Sequence, residues 1–135
     1  MLTDRIPGDH FIFHKLDASL AAQFGNAVSQ PGRTFHCTAS TSECISVAER
    51  EQADVVFCSA DPGEYRRLLD ALKRRGLPLP VVVVSRIPET SEWLDAMEAG
   101  ATDYCAAPFE RRHVSWLVES ALLSTERVQA GAAGC

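Results

Sequence analysis

Two short runs of consecutive apolar residues constrain the fold of this chain more than any other feature. They are VVFC, within residues 54–58, and VVVV, at residues 81–84. A strand with one face in water alternates apolar and polar side chains, whereas a strand covered on both faces does not need to alternate. Both runs are therefore predicted to be inner strands of a parallel sheet that carries helices on its two faces.

The rest of the chain alternates between strand-like and helix-like spacing of its apolar residues. The other predicted strands are residues 11–13, residues 34–38 and a strand through Tyr104 and Cys105. The first predicted helix runs from an N-cap at Asp17 to Gln30, and the second from a capping box at Ser40 and Glu43 to about Gln52. The third runs from the turn at Asp61 to Gly76. The last two run from Thr90 or Ser91 to Gly100 and from Glu110 to about Arg127. This order predicts a doubly wound α/β fold with right-handed crossovers.

Length and charge set the broad class of the protein. The 135 residues suffice for one domain, predicted at residues 1–128, and the Gly- and Ala-rich residues 129–135 are predicted to form a flexible tail. The net charge of −5 argues against nucleic-acid binding, which needs a concentrated basic face. No apolar run approaches the ~20 residues of a membrane span, and the N-terminus lacks the layout of a signal peptide. We therefore expect a cytoplasmic protein that contacts neither nucleic acid nor membrane.

The five cysteines do not suggest a metal site or a disulfide framework. The cysteines show no CxxC spacing, and the sequence has no paired histidines at the spacing of metal ligands. Cys58 and Cys105 lie in apolar, strand-like runs, where a cysteine is most often a small buried hydrophobe. No cofactor is expected from the sequence.

The segment AMEAGATDYCAAPF, at residues 96–109, resembles the closing segment of response-regulator receiver domains. The run VVVVS before it and the sequence DASL near the N-terminus are similar to receiver patterns at the matching places, so that the resemblance covers about His10 to Leu123. It implies the CheY-like, flavodoxin-like fold, a five-stranded parallel sheet with strand order 2-1-3-4-5.

The resemblance also implies a chemistry, and this chain departs from it. Receivers hold Mg²⁺ with an acidic pair after the first strand, accept a phosphoryl group on an Asp that ends the third, and neutralise it with a Lys after the fifth. The matching positions here are Lys15 and Leu16 for the acidic pair, Ser59 for the acceptor, with Cys58 as the competing register, and Ala107 for the lysine. The chain thus resembles a divergent pseudo-receiver that lacks the phosphorylation residues.

Two switch positions of the family are kept. Ser85 matches the Thr or Ser that ends the fourth strand, and Tyr104 matches the aromatic residue of the fifth. In the fourth helix Leu94, Ala96 and Met97 are predicted to face inward. Trp93 precedes this stripe, and Trp116 lies off the apolar stripe of the last helix, so both are candidate interface residues. The alternative is that each ring fills a groove between helices.

Three classes of function remain open at this point. The first is a stand-alone receiver-like interaction module, not an enzyme, that works without phosphorylation and binds signalling proteins or itself through its fourth and fifth helices. The second is a phosphorylatable response regulator whose acceptor has moved to Asp61, with Asp17 as a carboxylate displaced from the acidic-pair positions. The third is a flavodoxin-fold small-ligand binder or enzyme that uses the strand-end crevice. The three simultaneous losses disfavour the second class, and the lack of a glycine-rich loop, a Cys/His dyad and an acidic pair disfavours the third. The first class is therefore favoured.

Overall fold

The computed structural model describes the backbone of residues 10–134 and the side chains of residues 10–123. Five strands alternate with five helices along the chain, as predicted. The strands are β1 (His10–His14), β2 (Thr34–Thr38), β3 (Val55–Ser59), β4 (Val81–Ser85) and β5 (Asp103–Ala106). The helices are α1 (Ala18–Val28), α2 (Thr41–Glu51), α3 (Pro62–Arg75), α4 (Thr90–Ala99) and α5 (Arg111–Gly134).

The strands form one parallel sheet in the order β2-β1-β3-β4-β5, which confirms the predicted topology. The two apolar runs form β3 and β4, next to each other, with Val56 aligned to Val81 and Ser59 to Val84. Both strands are inner strands, and all of their apolar residues are buried. The absence of alternation in these runs follows from helices that cover both faces of the sheet.

Two apolar cores lie on the two faces of the sheet. The core under α1 and α5 is rich in phenylalanine, and the rings of Phe24 and Phe57 lie 4.8 Å apart between their centroids. The core under α2, α3 and α4 is mostly aliphatic and includes Ile12, Val56 and Leu68. Successive residues of one strand enter opposite cores because side chains of a strand alternate between its faces.

Three helices begin at the predicted capping residues. The Asp17 carboxylate accepts from the amide of Leu20 at 2.9 Å, and Asp61 accepts from Gly63 at 3.0 Å. Ser40 accepts from Glu43 at 3.2 Å, as in a capping box. The return contact differs from that motif, because Glu43 accepts from the amide of Ala39, 2.8 Å away, one residue before the cap.

The prediction for the inner face of α4 is wrong at two of three residues. Ala96 is fully buried, but Leu94 is 48% exposed and Met97 is 37% exposed. The inward stripe instead passes through Glu92 and Ala96, which lie one helical turn apart. Leu94 stands between them in sequence and therefore points to the opposite side of the helix. Helix α4 packs mainly against α3 and the edge strand β5, and of its residues only Ala96 is buried.

Helix α5 begins one residue after the predicted start and continues to Gly134, beyond the predicted end near Arg127. Its buried side chains, Val114, Leu117, Val118 and Ala121, follow the predicted stripe. The flexibility of residues 129–135 stays a prediction, because Cys135 and the side chains from residue 124 onward lie outside the described part. No helix in the described residues is both long and apolar enough to cross a membrane.

Candidate functional site

The carboxyl ends of β1, β3 and β4 open into a shallow crevice of about 260 Å³. In an open parallel sheet this edge is where ligands bind, because neighbouring connections leave on opposite faces there. The polar side chains that line the crevice come from five short loops and strand ends, namely Lys15, Asp17, Ser59, Asp61, Ser85 and Arg86.

Lys15 and Leu16, the residues at the acidic-pair positions, diverge as they leave β1. Lys15 adopts a left-handed conformation, with φ of 62°, and its amide donates to the carbonyl of Thr38 at 3.0 Å. Its ammonium nitrogen lies 3.7 Å from a carboxylate oxygen of Glu64, in the first turn of α3. Leu16 packs against the phenylalanine-rich core. One position therefore contributes a positive charge to the crevice, and the other contributes apolar packing to the core.

The end of β3 exposes Ser59 to the crevice and buries Cys58. Ser59 is half-buried and lines the crevice, whereas Cys58 is fully buried in the aliphatic core. Burial raises the pKa of the Cys58 thiol to about 12, so that it is not a thiolate at neutral pH. Of the two residues considered for the acceptor position, only Ser59 is accessible from the crevice.

Both carboxylates that line the crevice already have partners. The Arg86 guanidinium donates to Asp17, which also caps α1. The hydrogen bond from Arg86, followed by the one from the Leu20 amide, lowers the pKa of Asp17 to about 2. Asp61 caps α3. These contacts orient each carboxylate toward a helix start or a guanidinium.

The residues of the crevice do not fit the Mg²⁺ ion that receiver chemistry requires. Mg²⁺ demands a near-octahedral shell of hard oxygen ligands. At the acidic-pair positions the chain offers the ammonium of Lys15 and the aliphatic side chain of Leu16, and Arg86 already binds Asp17. Lys15 and Arg86 would both repel a further cation, so the crevice is not suited to a divalent metal ion.

Ala107, at the lysine position, follows β5 directly. Its amide donates to the carbonyl of Ser85 at 3.0 Å, which joins the ends of β4 and β5. The methyl side chain of Ala107 supplies no charge to the crevice. The position thus keeps its backbone role in the sheet edge and has no group that could bind a phosphoryl oxygen.

The switch positions Ser85 and Tyr104 share one acceptor, the carboxylate of Glu92 in α4. The same carboxylate oxygen lies 3.0 Å from the Ser85 hydroxyl and 2.8 Å from the Tyr104 hydroxyl. The carbonyl of Ile87 lies 3.1 Å and 3.0 Å from the same two hydroxyls. We call Ser85, Glu92 and Tyr104 the Glu92 cluster. Burial and the nearby carboxylate raise the pKa of Tyr104, which keeps its hydroxyl protonated as a donor.

Glu92 and Arg86 are the site residues that sequence reasoning missed. In the sequence Glu92 reads as one of several charges on the rim of α4, whereas it is half-buried beneath that helix. Its position seven residues after Ser85 and twelve before Tyr104 matches no motif. Only the packing of α4 against β5 brings the three side chains together.

The two tryptophans considered as interface residues are both exposed. Trp93 on α4 is 44% exposed, and Trp116 on α5 is 61% exposed, with its ring beside that of His113 at 6.4 Å between centroids. Leu94 and Met97 add to the exposed apolar surface of α4, and Leu123 adds to that of α5. Neither tryptophan belongs to the buried part of a core.

Solved structures of receiver domains share the fold of this chain. A response regulator from Chloroflexus aurantiacus is 23% identical, with a TM-score of 0.74 over 87% of this chain and 99% of its own. The signal receiver domain of an HD domain-containing protein from Pseudomonas fluorescens is 12% identical, with a TM-score of 0.75 over 96% and 97%. The beryllofluoride-activated NtrC4 receiver domain, solved as a dimer, is 13% identical, with a TM-score of 0.70 over 86% and 98%.

No protein-family profile matches the chain, and no curated protein matches it either. The likenesses to solved structures therefore establish the fold, which is that of the CheY-like receiver domains. At these identities the side chains of the crevice are not constrained by the fold, and the function rests on the residues themselves.

Proposed function

We propose that this chain is an atypical receiver domain that acts as a signalling or protein-interaction module in a two-component-type network, and that it does so without being phosphorylated. The observation that carries the proposal is the ion pair between Lys15 and Glu64. It puts a fixed positive charge where receiver chemistry needs the first carboxylate of a metal site.

The chemistry of phosphoryl transfer explains why this one change matters. The transferred group carries negative charge on its oxygens, and catalysis consists of positioning the group and neutralising that charge. Ser59 offers a hydroxyl in place of an acceptor carboxylate, and Ala107 offers no cation. The residues that match the family's acceptor, metal ligands and lysine have all lost the required groups.

The Glu92 cluster supports control by something other than phosphate. Switch hydroxyls of a receiver respond to a phosphoryl group only if that group competes for their hydrogen bonds. In this chain Ser85 and Tyr104 both contact a permanent carboxylate of the protein, at 3.0 Å and 2.8 Å. Hydrogen bonds to a charged acceptor are stronger than neutral ones, so the cluster favours one fixed arrangement of β4, α4 and β5.

The test of this proposal is incubation with acetyl phosphate and Mg²⁺, followed by intact mass measurement. We expect no addition of a phosphoryl group under conditions that fully label a receiver with intact acidic pair, aspartate and lysine. Labelling that maps to Asp61 or Asp17 would contradict the proposal and favour a relocated acceptor. Labelling that maps to Ser59 would show that the hydroxyl itself has become the acceptor.

We further propose that the partner surface comprises the exposed parts of α4 and α5. Exposed tryptophans are enriched among the residues that dominate binding energy. The solved NtrC4 receiver is a dimer, which shows that this fold can self-associate in an activated state. A signalling protein or a second copy of this chain would bury Trp93 and Trp116. Such a module is expected to be cytoplasmic and not an enzyme.

A further inference from the structure

Two histidines and a glutamate meet at the end of the sheet opposite the crevice. The Nδ1 atom of His10 lies 3.1 Å from the Nε2 atom of His36. A carboxylate oxygen of Glu51 lies within 4.8 Å of ligand atoms on both rings. All three residues are half-buried, so the group is reachable from solvent.

The topology brings these residues together from distant parts of the sequence. His10 begins β1 and His36 is in the middle of the edge strand β2, where it pairs with Ile12. His10 and His36 therefore point to the same face of the sheet, two residues apart along the paired strands. Helix α2 packs on β1 and β2 and ends with Glu51. A ligand held by the three side chains would join β1, β2 and the C-terminus of α2.

The distance between the two imidazoles suits a shared metal ion. Zinc binds an imidazole nitrogen at about 2.0–2.1 Å and a carboxylate oxygen at about 2.0–2.2 Å, so two ring nitrogens can share one ion when they lie less than about 4 Å apart. The separation of 3.1 Å between His10 and His36 meets this condition. Two imidazoles and a carboxylate favour Zn²⁺ and neighbouring transition metals over Mg²⁺, which prefers oxygen ligands only.

The electrostatic surroundings also favour a cation. Glu51 is the last residue of α2, where the helix dipole already places negative charge. The carboxylate of Asp54, which accepts from the backbone amide of His10 at 3.2 Å, adds another negative group. Among the described residues, Arg50 has the opposite effect, because its guanidinium lies 3.0 Å from a carboxylate oxygen of Glu51 and pairs with it.

We propose that His10, His36 and Glu51 form a binding site for one divalent transition-metal ion, with Zn²⁺ as the best match, and that water completes its coordination. The ion would bind at the edge of the sheet remote from both the crevice and the Glu92 cluster. The site does not depend on whether the crevice is phosphorylated.

The experiment is a titration of the untagged, chelator-treated full chain with ZnCl₂, in competition with a chromophoric chelator. The background variant carries Cys37→Ser, which removes an exposed thiol, and Cys135→Ser, so that neither of these cysteines contributes to binding. We expect one saturable Zn²⁺ per chain and a stabilised fold in thermal melts, since an ion that binds only the folded chain raises its stability. Co²⁺ should bind at the same stoichiometry with the visible absorption of a nitrogen- and oxygen-ligated ion, and Mg²⁺ should not compete.

Three variants locate the site, and a fourth is the control. His36→Ala and His10→Ala should each weaken Zn²⁺ binding by at least about tenfold, because even the loss of an outer hydrogen-bond partner of a ligand costs that much. Glu51→Gln keeps the shape of the side chain on the helix surface and tests the carboxylate if a histidine variant fails to fold. His113→Ala removes an exposed histidine of α5 and should leave binding unchanged.

The outcomes divide cleanly. Saturable binding that is weakened by the substitutions at His10, His36 and Glu51 and kept by His113→Ala supports the site. The proposal is overturned if the background variant shows no saturable Zn²⁺, if binding survives loss of both His10 and His36, or if His113→Ala abolishes it. A result of any kind at this site leaves the phosphodonor test of the crevice unaffected.

Discussion

The strand-end crevice and the outer surface of α4 and α5 differ in how their side chains are satisfied: charges in the crevice are paired, whereas large apolar side chains on the two helices are exposed to water. In the crevice Lys15 contacts Glu64 and Asp17 contacts Arg86, so each of these charges has a partner from the chain itself. On the two helices large apolar groups are left in water, with Trp93 at 44% and Trp116 at 61% exposure.

This difference bears on the proposal that the chain acts through the outer surface of α4 and α5. A catalytic crevice keeps unpartnered charges for its substrate, and the crevice of this chain pairs such charges internally. Exposed apolar surface has an energetic cost that burial by a partner would remove. The contrast therefore favours the helix surface over the crevice as the place where a partner would bind.

The largest expected effect is at the helix surface. If Trp93 and Trp116 anchor a partner or a second copy of the chain, replacing either with Ala should weaken association by about 2 kcal/mol or more, as for other hot-spot residues. The fold should remain intact, since neither ring is part of a buried core and Trp116 is mostly exposed to water. Sedimentation over a range of concentrations, with thermal melts of the same samples, measures both quantities.

Two matched variants complete that test. Thr34→Ala changes an exposed residue on β2, at the opposite edge of the sheet, and should change neither association nor stability. Leu68→Ala, which removes a fully buried side chain of α3, should cost about 2–5 kcal/mol of stability. If Trp93→Ala and Trp116→Ala behave like Leu68→Ala, with a large loss of stability and unchanged association, the interface assignment is wrong.

A smaller effect is expected at the Glu92 cluster. Glu92→Ala removes the charged acceptor of two hydroxyls, and a hydrogen bond to a charged group contributes about 1.5–3 kcal/mol. We therefore expect a loss of stability in this range and a changed environment of Tyr104, visible in its NMR ring signals. Glu98→Ala, an exposed residue of the same helix, is the control. Unchanged Tyr104 signals in Glu92→Ala would contradict the proposed fixing of the switch residues.

A pH-dependent effect follows from the pair of Asp17 and Arg86. The pKa of Asp17 is lowered from 3.8 to about 2 by Arg86 and the Leu20 amide, so the ionised form stabilises the folded state. This contribution is fully present above pH 3.8 and is lost as the pH falls through about 2. In Arg86→Ala the carboxyl titration of Asp17, followed by NMR, should move upward toward 3.8. A titration that stays near 2 would show that the cap alone lowers the pKa.

For a substitution at the acceptor position of the crevice we expect no measurable effect. Ser59→Asp restores the acceptor but neither the metal ligands nor the lysine, so the charge of the transition state is not neutralised. We expect no labelling by acetyl phosphate and no saturable response of this variant to millimolar Mg²⁺. Labelling of Ser59→Asp would show that the crevice works without an acidic pair. Cys58→Asp is the matched variant at the buried register and should not be labelled either.

The elements of the fold could be predicted from local patterns. Apolar runs without alternation indicated β3 and β4, and the caps at Asp17 and Asp61 formed as predicted because they depend only on residues up to three positions away. Periodicity alone predicted only a doubly wound sheet, and the order of its strands came from the resemblance to receivers. Comparison with solved structures confirms that order.

The inner face of α4 could not be predicted in the same way. Leu94 and Met97 are apolar and yet exposed, whereas Glu92 is charged and half-buried. The hydroxyls of Ser85 and Tyr104 donate hydrogen bonds to the carboxylate of Glu92. A charged residue can therefore occupy an inward position where the apolar pattern predicts leucine.

The sequence by itself determined which chemical groups the chain carries at the ends of its strands: an ammonium at Lys15, a hydroxyl at Ser59 and a methyl at Ala107. Only the tertiary structure decided which groups meet. Glu92 joins Ser85 to Tyr104, and His10 approaches His36 and Glu51, across gaps that no local pattern spans. The physical reason is that a parallel sheet aligns residues far apart in the chain, and its covering helices then bring their side chains within hydrogen-bonding or ligand distance.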